Sequence, residues 1–168
     1  SPSMGGATFH ASYFNNNTGN ASVYTDFGIK VSPEMVEGLE VGYAWGTTEA
    51  TAGTEIDDST IYIKYAYGPV TVGYQESESD APTATDTDES EMFGITYAVT
   101  DSFSIGYSQS EFNLGSSTTD QESEGISASY TMGGITVAGA MNTTDNIAGS
   151  TDTTADKDAY EMSISFAF

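Results

Sequence analysis

The last nine residues, 160–168, alternate without a break. Tyr160, Met162, Ile164, Phe166 and Phe168 are large and apolar, while Glu161, Ser163, Ser165 and Ala167 are small or polar. A strand sends successive side chains to opposite faces, so a period of two predicts one apolar and one wet face. The same alternation recurs upstream and predicts ten strands: 7–14, 21–31, 39–47, 59–67, 70–75, 91–99, 103–111, 125–132, 135–142 and 160–168. In the third, Leu39, Val41, Tyr43 and Trp45 oppose Glu40, Gly42, Ala44 and Gly46. In the fourth, Ile61, Ile63, Tyr65 and Tyr67 oppose Thr60, Tyr62, Lys64 and Ala66.

The connections also alternate. Short turns fall at 32–38, 68–69, 100–102 and 133–134; Gly68-Pro69 and Gly133-Gly134 supply turn dihedrals, and 100–102 reads Thr-Asp-Ser. Longer connections fall at 48–58, 76–90, 112–124 and 143–158, with a compact polar loop at 15–20; residues 1–6 read as a turn. Short turns at one end and long loops at the other is the layout of an up-and-down barrel in a membrane. The polar face carries mostly Gly, Ser, Thr and Ala, too small to pack a core. The expectation is therefore an all-β fold: a transmembrane antiparallel up-and-down β-barrel in one domain, 1–168, apolar outside and wet inside. A soluble β-sandwich also alternates, but rarely over ten strands with all long loops at one end.

Composition narrows the function. With 25 acidic residues against 3 basic, the net charge is −22. Such a chain does not bind nucleic acid, whose phosphates require Lys and Arg. There is no cysteine and hence no disulfide or thiolate site. No apolar run approaches the roughly 20 residues of a membrane helix. Most carboxylates lie in or beside the long connections. The clusters at Asp86, Asp88 and Glu89 and at Asp152, Asp156 and Asp158 are the best candidates for calcium, though neither has EF-hand spacing. No metal site or cofactor is expected beyond that alternative. The single His10 sits on a polar face with no nucleophile motif nearby, so no catalytic residues and no enzyme are expected.

Two stretches carry a family resemblance. The terminal Tyr160, Met162, Ile164, Phe166 and Phe168 resemble the closing strand of Gram-negative outer-membrane β-barrels. The run from Ser32, Pro33, Glu34 and Met35 through Gly38 to Tyr43 is similar to the turn-plus-strand unit of general diffusion porins of the alphaproteobacterial type. The resemblance implies a 16-stranded barrel of which this chain is the C-terminal part, with about six further strands from an N-terminal segment or separate chain. It also implies contact with outer-membrane lipid and lipopolysaccharide, a homotrimer, a periplasmic C-terminus and extracellular acidic loops. In that family a long loop narrows the channel, and 80–90 is the candidate here.

A wet interior of small side chains suits passive diffusion of small hydrophilic solutes and ions, with selectivity set by wall charges. The expected pore-lining residues are His10, Tyr24, Asp26, Lys30, Glu40, Tyr62, Lys64 and Glu161. Lys64 is the mid-strand wall charge, and Lys30 and Glu40 are placed to pair near the Pro33 turn. Aromatics expected to face the membrane are Phe9, Tyr13, Phe27, Tyr43, Trp45, Tyr65, Tyr67, Tyr97, Tyr107, Tyr130, Tyr160, Phe166 and Phe168. The small outward residues Ala7, Ala11, Ala128 and Gly139 form a candidate protomer contact. Acidic loops predict cation preference. The competing function is a structural or adhesive barrel whose acidic loops bind a surface partner or divalent cations.

Overall fold

The computed structural model describes residues 3–4, 6–16, 22–50, 54–80 and 87–167. They form one antiparallel sheet of eleven strands in strict chain order: β1 (Ser3–Met4), β2 (Ala7–Asn16), β3 (Ser22–Val31), β4 (Leu39–Ala50), β5 (Thr54–Tyr67), β6 (Val70–Asp80), β7 (Asp88–Thr100), β8 (Phe103–Asn113), β9 (Gln121–Met132), β10 (Ile135–Asp145) and β11 (Lys157–Phe166). The ten expected strands are all present. Residues 1–6, expected as a turn, instead contribute the two-residue β1, with Ser3 opposite Thr8 and Met4 opposite Ala7. Among the described residues β11 pairs only with β10, so β1 and β11 are the two edges of the sheet.

The four short turns lie where alternation breaks. Between β3 and β4, Val36 donates its amide to the Pro33 carbonyl (3.1 Å), and the Gly38 carbonyl accepts from Ala66 (2.9 Å). Gly38 adopts φ +83°, and a Cβ there would collide with the Ala66 carbonyl. Glycine is thus required by both conformation and space. Between β7 and β8, the Thr100 hydroxyl accepts from the amides of Ser102 and Phe103 (3.2 and 3.0 Å).

The long connections are shorter than expected, because the strands run on. Glu49, Glu55, Asp57 and Asp58 belong to β4 and β5; Glu76, Glu78 and Asp80 to β6; Asp88 and Glu89 to β7; Glu122 and Glu124 to β9; Asp145 to β10; and Asp158 to β11. Loss of apolar character marks the edge of a hydrophobic band, whereas strand pairing ends only where the backbone ladder ends. A strand climbs about 3.4 Å per residue, or about 2.6 Å of height at a tilt of about 40°. The 13-residue β7 therefore spans about 31 Å, overshooting an apolar band about 25 Å tall. The candidate constriction segment 80–90 is changed by the same effect. Asp80 closes β6, Asp88 opens β7, and 81–86 lie outside the described residues.

No hydrophobic side chain is buried among the described residues. Direct cross-strand partners share a face, and the registers place Phe9, Ile29, Tyr43, Ile61 and Glu76 on one face and His10, Gly28, Ala44, Thr60 and Ser77 on the other. The whole apolar face lies open, with Phe9, Phe27, Trp45, Ile63, Phe93, Tyr130 and Phe166 each more than 40% exposed. A continuous apolar surface of this kind is tolerated in lipid and not in water.

Candidate functional site

The polar face is where chemistry can occur, and the registers define it row by row. Thr60 and Ser77 pair through their hydroxyls (2.8 Å), as do Ser104 and Ser129 (2.9 Å), Ser123 and Thr144 (3.0 Å) and Thr131 and Thr136 (2.9 Å). Each pair sits directly across a ladder, so small hydroxyl side chains satisfy one another along the wall and leave the space in front of it open.

One row across β2 to β7 reads Ser12, Asp26, Gly46, Asp58, Ser79 and Asp88, each directly opposite the next. Three carboxylates thus lie in one cross-strand row, separated by small residues. Ser12 donates its hydroxyl to Asp26 (2.6 Å), and Asp88 accepts the Gly115 amide (2.9 Å). A hollow of about 560 Å³ lies along this row, lined by residues that include Asp26, Asp58, Thr60, Ser77, Asp88 and Phe112.

Nearer the short-turn end, Glu40 lies between two lysines. Its carboxylate is 3.4 Å from Lys30 Nζ and 3.2 Å from Lys64 Nζ, and it accepts the Tyr62 hydroxyl at 3.2 Å. Lys64 is directly opposite Glu40, whereas Lys30 and Tyr62 flank Gly42, two residues along the same strand. The Tyr62 ring lies over Gly42 so closely that a Cβ there would run into it. Glycine opens the hollow, the ring lies in it, and its hydroxyl reaches Glu40.

All eight residues read from the sequence as pore-lining, His10, Tyr24, Asp26, Lys30, Glu40, Tyr62, Lys64 and Glu161, fall on this polar face. The fold gathers Lys30, Glu40, Tyr62 and Lys64 into one cluster, while Glu161 stands apart on β11. Asp58 and Asp88, read as loop residues, join Asp26 in its row. The parity of Asp58 with Thr60, Tyr62 and Lys64 was a usable signal for it. Phe14, Met92 and Phe112 also fall on this face, so it is less uniformly small than the sequence suggested.

On the opposite face lie all the expected aromatics from Phe9 to Phe166, while Phe168 is outside the described residues. Tyr74 and Phe93 join them, directly opposite each other. Phe27 stacks on Trp45 and Tyr43 on Trp45, at ring separations of 5.4 and 5.5 Å. Toward the long-loop end this face turns acidic. Glu76, Glu91, Glu111, Glu122 and Asp145 are successive direct partners, and Tyr107 donates its hydroxyl to Glu124 (3.3 Å). The expected small-residue patch divides: Ala7 and Ala11 lie on β2, while Ala128 and Gly139 face each other across β9 and β10. Six strands, β3 to β8, lie between β2 and β9 along the sheet.

Of the acidic clusters, Asp86 lies outside the described residues. In the other, Asp152 accepts the Thr154 amide (3.0 Å), Asp156 the Asn146 amide (3.1 Å) and Asp158 the Thr143 hydroxyl (3.0 Å). The Thr154 backbone contact holds the Asp152 carboxyl below its ordinary pKa. Among the described residues no three acidic or His side chains close into a metal-sized group.

Residues 1–123 match the family model for Gram-negative porins. The chain belongs to the Gram-negative porin family. Porins of this family are outer-membrane channel proteins, and the apolar face, aromatic rows and antiparallel meander are those of a porin wall. A multiply substituted porin of Rh. blastica aligns over 96% of this chain and 90% of its own, at 11% identity and a TM-score of 0.35. That likeness is distant, and membership rests on the family match. No curated protein matches the chain.

Proposed function

We propose that this porin is a water-filled outer-membrane channel for passive diffusion of small hydrophilic solutes and ions, with a preference for cations. The observation that carries the preference is the row Asp26, Asp58 and Asp88 on the polar face. Three carboxylates in one row of a low-dielectric wall raise the local cation concentration and repel anions. On this reading the polar face is the lumen, Lys64 and its neighbours line it, and the aromatic face meets lipid and lipopolysaccharide. The long-loop end is extracellular and the short turns periplasmic. The wall is completed to about sixteen strands by a further segment, and protomers assemble as trimers.

The test is single-channel recording in a planar bilayer under a salt gradient, on protein extracted from native membranes. The expected result is stable steps, in threes, with a cation-selective reversal potential that weakens in Asp58→Asn. A folded, heat-modifiable protein that never conducts overturns the channel. It would leave the structural or adhesive barrel, which the acidic row from Glu76 to Asp145 favours as a surface for a cationic partner.

A further inference from the structure

We propose that Glu40 is a selectivity-determining residue of this channel, acting as a clamp that offsets one of two positive charges and holds both lysines against the wall. The proposal rests on the channel reading above and assigns it a residue that the charge count alone does not single out.

Three observations carry it. Glu40 bonds both lysines at once, at 3.4 and 3.2 Å, so the cluster presents a net charge of +1 where two free lysines would present +2. The exposures are unequal: the Glu40 side chain is 22% exposed against 45% for Lys30 and 51% for Lys64. A solute meets the ammonium groups first and the carboxylate behind them. The carboxylate is also fixed from a third side, since the Tyr62 hydroxyl donates to it at 3.2 Å from a ring seated over Gly42. Among the described residues these are the only ion pairs, and Glu161, on the same face, makes none.

Removing the Glu40 carboxylate therefore does two things. It raises the cluster to +2, and it frees two long, flexible ammonium side chains to extend from the wall. Removing the Glu161 carboxylate changes the face by the same single charge and frees nothing. The two variants lose equal charge, one inside the clamp and one outside it on β11, and the double variant tests the clamp in place.

The experiment compares reversal potentials of wild type, Glu40→Gln, Glu161→Gln and the double variant Glu40→Gln/Lys64→Met in a potassium chloride gradient. Expected is a fall in the potassium-to-chloride permeability ratio of about twofold or more for Glu40→Gln. Glu161→Gln should move it by less than half as much, and the double variant, whose cluster is again +1, should return toward wild type. Equal shifts in the two single variants overturn the clamp while leaving the channel intact, as does a double variant that stays with Glu40→Gln. A wild type that does not conduct overturns the channel and the clamp together. Should Glu40→Gln fail to fold, Glu40→Asp, which keeps the charge but is one methylene shorter and so loosens its hold on the two ammonium groups, takes its place with the same sign, and a ratio unchanged from wild type overturns the clamp.

Discussion

Ile95 and Thr96 are neighbours in β7, and the fold assigns them to opposite faces of the wall. Ile95 stands between Val72 and Tyr107 on the apolar face, and Thr96 between Thr71 and Gly106 on the polar face. Ile95 is five residues above Thr100, the last residue of β7. At about 2.6 Å of height per residue this is about 13 Å, the middle of an apolar band about 25 Å tall. A lysine at the midplane on the lipid side of a barrel costs about 2–4 kcal/mol, or about 30- to 1,000-fold in the folded-to-unfolded ratio. Ile95→Lys should lose that much when urea unfolding is followed in phospholipid vesicles. Thr96→Lys meets water and a glycine, and should change stability by no more than about 0.5 kcal/mol. Equal losses, or a larger loss for Thr96→Lys, would refute the assignment of the apolar face to lipid and with it the polar lumen.

Trp45 is the only tryptophan and lies on the apolar face beside Phe27; brominated phospholipids should quench its fluorescence and aqueous iodide should not, and the reverse pattern would place it in the lumen. Gly38→Ala meets both a positive φ and the Ala66 carbonyl, whereas Gly68→Ala meets positive φ alone with nothing within 4 Å. Gly68→Ala should cost about 1 kcal/mol and Gly38→Ala about 2–3 kcal/mol in denaturant unfolding; equal costs would remove the steric part. The Asp152 carboxyl is depressed by its bond from the Thr154 amide. Its contribution is present above the unfolded aspartate pKa and lost as pH falls through the lower folded value. Protection of the Thr154 amide from hydrogen exchange should therefore persist at neutral pH and vanish in acid, and Asp152→Asn should reduce it at neutral pH and leave it unchanged in acid. Thr100→Ala leaves the amides of Ser102 and Phe103 without their acceptor and should cost about 0.5–1.5 kcal/mol, read as a lower urea midpoint.

The sequence alone determined which face each strand residue joins. Alternation is a local property with a period of two, so parity assigns His10, Asp26, Lys64 and Glu161 to one face and Trp45, Tyr97 and Phe166 to the other before any strand is paired. The short turns were legible for the same reason: Gly38, Gly68 and Gly133 take positive φ where alternation stops. Two things were decided only in three dimensions. One is where strands end, because hydrogen bonding between neighbours carries β5 and β7 past the last large residue of the apolar face and places Asp58 and Asp88 in the wall. The other is register. Parity cannot say which residue of β3 stands opposite which residue of β4, since every slip by two preserves the pattern. Only the paired ladders bring Asp26, Asp58 and Asp88 into one row and set Glu40 between Lys30 and Lys64, and on those two arrangements the proposed selectivity rests.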